Sequence, residues 1–387
     1  MKVNLPHELR GFAKVKGDRE SKEILFTNNW HTYFTDGTNE LDLQMGGSSF
    51  TLGYNNFSAL KNLENSILTT ARCQSNNHHY NKETIRAGEI LCDGVWDTYA
   101  WALSGTSAVE AAISMSDEYW KALGVNKPKI ISFSFAWHGT SYLTKDMGAP
   151  FLLANHTGRC INLKQPKSKE DENEVLADIE RNLMDVGCII FDSATWIGGL
   201  WGYSSNWWTR IRQICDEHDV LMITDDVASC WGKTGTLHPY QSIGYGVQPD
   251  ISALGKSLTA GYAPLGAAVC NKKVGDILNK PGVWNYNHTW QPSMMGIYIM
   301  LNVYDYIMRH QLLNNVIKIE VALREIASEL SIDSYRVQGC FFALDAKTEH
   351  TGLSSTLLPN NIRGCAPLLA NNIYFQDLRD HLNGLRT

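Results

Sequence analysis

The feature that most constrains this chain is a series of short apolar runs, several of them closed by a polar residue. They are "PKIISFSFAWHG" (128–139), "CIIFDSATW" (188–196), "LMITDDVA" (221–228), "ISALGK" (251–256) and "GAAVC" (266–270). Runs of this length with β-branched content read as buried strands. Between two of them lies "WWTRIRQICDEHDV" (207–220), an amphipathic helical pattern. After Gly105, Ala108, Ala111, Ala112, Met115 and Tyr119 recur at helical spacing, so a helix begins near Thr106. Strands alternating with helices predict an α/β fold on a mainly parallel sheet.

That pattern occupies residues 50–290, the predicted large domain. Residues 291–387, with helices over 293–308 and 312–330, are predicted to form a smaller α+β domain. Residues 1–49 form an N-terminal segment expected to join that small domain. Within it, "HTYFTDGTNELDL" (31–43) reads as two short strands around an Asp36-Gly37 turn. The charged stretch 167–183 reads as a solvated helix face.

Composition narrows the function. The net charge is −6 with a pI near 6.1, which argues against a broad nucleic-acid surface. No apolar run has the length of a membrane span, and the first twenty residues are too polar for a secretion leader. The nine cysteines are scattered without a C-x-x-C pair, so reduced thiols and a cytoplasmic location are expected. "NHHYN" (77–81) lacks metal-ligand spacing, and no metal is expected. No G-x-S-x-G elbow occurs.

In open α/β sheets, ligands bind beyond the carboxyl ends of the strands. The conspicuous residues fall at such ends: the Gly105 loop, Trp137, His138, Asp192, Asp225 and Lys256. Lys256 sits in "PDISALGKSLTAGYAPLGA" among small and apolar neighbours. A free lysine has a pKa of about 10.4. An apolar setting disfavours its ammonium form and makes a Schiff-base nucleophile. The plain alternative is a lysine whose stem packs while its head reaches water.

Asp225 ends an apolar strand, where a carboxylate can hold a protonated heterocyclic nitrogen. "LSGTSAVEAA" (103–112) places glycine and hydroxyls at a helix start, a cradle for phosphate or simply an N-cap. Trp137 can stack on a flat cofactor or fill a core. His138 suits a supporting role. Two decoys, "GKS" at Lys256 and "GKT" at Lys233, lack the glycine that a phosphate loop needs five residues before the one preceding the lysine. A P-loop ATPase is thus a remote alternative.

The order of phosphate loop, aromatic-His-Gly, Asp-acid-Val and lysine resembles the class III pyridoxal-phosphate aminotransferases of fold type I. The stretch 221–267 is similar to that family's signature nearly end to end, and "NNIRGCAPLL" resembles its C-terminal Arg–Pro–Leu motif. The resemblance implies pyridoxal 5'-phosphate as cofactor and Lys256 as its Schiff-base partner. It implies Asp225 on the pyridine nitrogen, Val227 and Trp137 on the two ring faces, and Gly105 and Thr106 on the phosphate. It implies a homodimer in which Thr289 reaches the neighbouring subunit's phosphate. Arg363 matches an arginine that grips a substrate carboxylate in ornithine-type members.

Some positions depart from that family pattern. Asp226 stands for the usual glutamate, Ala228 for a glutamine, and Ile197 near a gating glutamate. Met45, Ser48 and Trp196 are candidates for the pocket lining. The expected function is amino transfer from an amine or ω-amino acid to an oxo acid. A glutamate-1-semialdehyde-type aminomutase and a cofactor-binding protein without transfer activity are the alternatives.

Overall fold

The computed structural model describes residues 24–61, 63–64, 81–148, 157–332, 334–345 and 361–384. The polar N-terminus, Cys73 and the His78–His79 pair lie outside them. The chain opens with a small antiparallel sheet of β1 (Ile24–Asn28), β2 (His31–Phe34) and β3 (Asn39–Leu41), turning through Gly37 as anticipated.

The central sheet has seven strands: β4 (Thr98–Ala102), β5 (Lys129–Phe133), β6 (Cys160–Leu163), β7 (Val186–Asp192), β8 (Leu221–Asp225), β9 (Ile251–Leu254) and β10 (Gly266–Cys270). Their spatial order is β4-β10-β9-β8-β7-β5-β6. β5 to β9 pair in parallel, and β10 runs against both its neighbours. Every residue of β7, β8, β9 and β10 is buried, as expected where helices cover both faces of a parallel sheet. Side chains alternate between two cores with period two: Ile189 and Phe191 enter one, Cys188 and Ile190 the other.

One face is covered by the helix Gly105–Ala122, which buries Ala108, Ala111, Ala112 and Met115. Its start is fixed by a reciprocal cap between Ser104 and Ser107. The other face is covered by Ser205–Glu217, whose Trp207 and Trp208 pack edge-on to Phe191. The helix Lys169–Arg181 packs beside it with a mostly charged outer face, and Asn271 caps the short helix Lys272–Leu278.

Beyond residue 290, the helices Met294–Arg309 and Leu312–Glu329 lead into an antiparallel sheet of β11 (Ser334–Gln338), β12 (Phe341–Asp345) and β13 (Asn361–Cys365). The chain ends in the helix Asn372–Gly384. Met294–Arg309 also lies against the helix Lys82–Cys92 and the turn Lys256–Thr259. The N-terminal segment reaches the last helix, where Trp30 Nε1 donates to Asp377 Oδ2 at 2.7 Å. Leu43 O accepts from Cys365 N at 2.8 Å.

Among the described residues no helix is long and apolar enough to cross a membrane, and no cluster of three metal-ligating side chains occurs. The eight described cysteines are all free thiols.

Candidate active site

The site forms where β5, β7, β8 and β9 end side by side. Asp225 closes β8 and is only 4% exposed. Its Oδ2 lies 2.8 Å from His138 Nδ1, and its Oδ1 accepts from Val227 N at 3.1 Å. A carboxylate only accepts, so the imidazole donates from Nδ1. The loop after β5 therefore brings His138 under Asp225, with Trp137 half-buried beside it.

Three glycines set how closely the loops meet. A Cβ on Gly105 would fall 2.4 Å from Val227 Cγ1, and one on Gly255 would fall 3.1 Å from the same atom. Gly139, at φ 111°, brings its loop onto Thr106, whose Oγ1 lies 2.4 Å from where a Cβ would stand. Only glycine takes both that backbone angle and that proximity. Gly105, Thr106, His138, Asp225 and Val227 are thus one contiguous surface at a helix N-terminus.

Lys256 follows directly, through Gly255, from the end of β9. Its Nζ stands 5.6 Å from the centre of the Trp196 ring. Desolvation lowers the pKa of this lysine, the Lys233 charge lowers it further, and Asp225 and Asp192 oppose the shift. The amine is therefore more easily neutral than a lysine in water.

Asp192 closes β7 and is the register partner of Asp225. Burial, and then the charge of Asp225, push its carboxyl up to about 7, with His138 and Lys256 opposing. Two adjacent buried carboxylates resist double ionisation. An unfolded aspartate ionises near 3.8, but folded Asp192 keeps its proton up to about pH 7. The folded chain therefore holds more protons between these values, and stability falls as pH rises through that window. Asp192→Asn is expected to unfold later than wild type in denaturant above about pH 7, by up to roughly 4 kcal/mol. Below about pH 4 the two should coincide. An equal gap at both ends of the range would mean that this carboxyl does not titrate there.

Asp226 turns away from the site. It accepts from Thr224 Oγ1 and Ser252 Oγ, both at 2.8 Å, and from Ser229 Oγ at 3.1 Å. Burial raises its pKa, and the hydroxyls of Ser193, Ser252 and Thr224 oppose the rise. Its role is to set the turn after β8.

Arg363 lies on β13, 2% exposed, behind Trp196. Its Nη1 donates to Trp196 O at 3.3 Å and to Ile197 O. Burial lowers its pKa to about 10. The backbone at the position of the missing gating glutamate thus binds this arginine through its carbonyls. Thr289 stands exposed, outside the buried cluster. It is three residues after Tyr286, whose hydroxyl donates to Ser107 O at 2.9 Å. Lys233, dismissed above as part of a failed phosphate loop, is buried close to Lys256; its lone polar head in "SCWGKTG" carried no signal by itself.

The aminotransferase class-III family model matches residues 23–362. The chain belongs to the class III aminotransferases, a family whose cofactor is pyridoxal 5'-phosphate. It is 26% identical over 331 residues to an aminotransferase of Gibberella zeae, covering 77% of this chain and 64% of that one. It is 34% identical over 178 residues to an acetylornithine aminotransferase of Aquifex aeolicus, covering 45% of each. The chain thus spans about half to two thirds of the length of these curated relatives. A PLP-bound amine transaminase from an uncultivated Pseudomonas species superposes with a TM-score of 0.86 at 21% identity, covering 99% of this chain and 98% of that one. The architecture is that of fold type I.

The side chains present suit the family's cofactor. Gly105 and Gly255 leave room over Val227, and a buried carboxylate and an amine with a weakened ammonium lie near each other beside it.

Proposed function

We propose that this chain binds pyridoxal 5'-phosphate on that surface and works as an aminotransferase. It takes the amino group of an amine or ω-amino acid and passes it to an oxo acid such as pyruvate or 2-oxoglutarate. The observation that carries the reading is Lys256 at the end of β9, its ammonium disfavoured, beside the buried Asp225–His138 pair.

When bound, the cofactor supplies an electron sink for charge developing at the substrate carbon. The protein does the rest. Asp225 would hold a proton at the ring nitrogen, and His138 Nδ1 fixes the orientation of its carboxylate. Gly105 and Thr106 present the N–H groups of a helix start to the phosphate. Val227 would pack on one ring face and Trp137 on the other. Lys256 Nζ takes a proton from the substrate carbon as a neutral amine and returns it as an ammonium. Its place beside Asp225 and Asp192 stabilises the ammonium while it lasts.

Arg363, held by the carbonyls of Trp196 and Ile197, supplies a guanidinium to a substrate carboxylate. A homodimer with Thr289 contributed across the interface, and a cytoplasmic location, complete the proposal. The purified protein supplied with cofactor should be yellow, and an amine donor should bleach that absorbance until pyruvate or 2-oxoglutarate restores it. A protein that stays colourless with added cofactor would overturn the reading.

A further inference from the structure

Lys233 is only 1% exposed, and apart from the push its charge gives to the pKa of Lys256 it takes no part in the chemistry proposed above. Taking an amine of this kind out of water is costly unless its donors are satisfied. Its Nζ donates to both the carbonyl oxygen and the hydroxyl of Ser48. The centre of the Phe341 ring lies 5.7 Å away, and Lys233 O accepts from Cys340 N at 2.9 Å. One residue therefore ties the N-terminal segment, the loop after β8 and the C-terminal sheet together.

The backbone that Lys233 holds is unusual. Met45, Gly46, Gly47 and Ser48 have φ of 47°, 59°, 69° and 69°. Successive left-handed residues are unfavourable for L-amino acids, and persist only where the surroundings impose them. Asp42 fixes one end, accepting from Gln44 N at 2.9 Å and Gly46 N at 2.7 Å. Lys233 fixes the other.

This turn straddles the two loops that carry the chemistry. Ser48 Oγ reaches Ala228 O, three residues past Asp225, at 3.4 Å. Phe50 lies against Gly261, five residues past Lys256, and stands edge-on to Tyr262 at 5.7 Å. The thiols of Cys230, Cys340 and Cys365 and the amine of Lys256 are the titratable groups around Lys233.

We propose that Lys233 is a positioning residue whose Nζ pins the Met45–Ser48 turn as a wall of the amine-substrate pocket. This rests on the function proposed above. Lys233→Met keeps the stem and removes the donor. In the full chain with cofactor, amide hydrogen exchange over residues 48–51 should rise at least about tenfold, reporting local opening of the turn. KM for the amine donor should rise about tenfold, with kcat at each variant's own pH optimum within about threefold. Exchange and KM that match wild type would overturn the proposal, as would a fall in kcat alone.

Should Lys233→Met not accumulate as folded protein, Ser48→Ala decides. It removes one of the two acceptors and should accelerate the same amides, and unchanged exchange would overturn the proposal. A wild-type protein that never turns yellow would defeat the functional reading, while the exchange measurement would still decide the role of Lys233.

Discussion

Lys256→Ala is expected to lower the rate of amino transfer by at least about 10⁴-fold, about 5.4 kcal/mol of barrier. In the proposed mechanism, alanine removes both the covalent anchor of the cofactor and the base that moves the substrate proton. Both functions depend on one nitrogen beside Asp225, Asp192 and Trp196. The variant should still fold, because Lys256 packs only partly and the turn it opens is closed by Leu258 and Ala260. Its absorbance should be that of cofactor held without the covalent bond. A small primary amine added to the solution should recover part of the rate, since it replaces the missing base. A variant retaining more than about a hundredth of the activity would place the proton transfer on another group.

Asp225→Asn separates charge from shape. Asparagine keeps one oxygen for Val227 N, and its amide NH2 can donate to His138 Nδ1 once the neutral imidazole carries its proton on Nε2, so the loop geometry should survive. What disappears is the negative charge in a site from which water is excluded. Loss of a preorganised electrostatic partner of this kind costs on the order of 10²–10³ in kcat. Cofactor binding should weaken less than kcat falls, because the proposal assigns the phosphate and ring faces to other residues. Rapid-mixing measurement of the first half-reaction, with cofactor saturating, distinguishes the two. A variant within about threefold of wild type would leave Asp225 as a structural residue.

Much of this site was legible before the structure because its residues mark the ends of strands. A run such as "LMITDD" announces both its burial and the place where burial stops. The helix start at Gly105 was equally plain, since the alanine spacing and the Ser104 cap agree. The strand Thr98–Ala102 went unread, because "TYAWA" runs without a break into the loop before the helix. The small domain reads as α+β, but its three strands could not be located individually for a related reason: only their mutual pairing gives them a shared buried face.

Pairings across the sheet are harder still. That Asp192 stands beside Asp225 depends on a register between strands separated by a whole helix. The role of Lys233 could not be read because its partner is Ser48, far away in the chain. Arg363 was picked out by its motif, but its hold on the carbonyls of residues 196–197 is a tertiary fact.

The contact of Gly105, Gly255 and Val227 bears on how such a protein can change. Three residues from three segments share one small volume, and the least added methyl displaces the isopropyl group between them. The floor therefore behaves as an interlocking joint with little slack: no side chain can be added at Gly105 or Gly255 without moving Val227. With the pocket wall proposed above, variation that retunes the choice of amine enters elsewhere, through the turn at residues 45–48 and the surface around Trp196. A directed library confined to those positions should yield altered preference, and one built on the joint should yield mostly protein that no longer retains its cofactor.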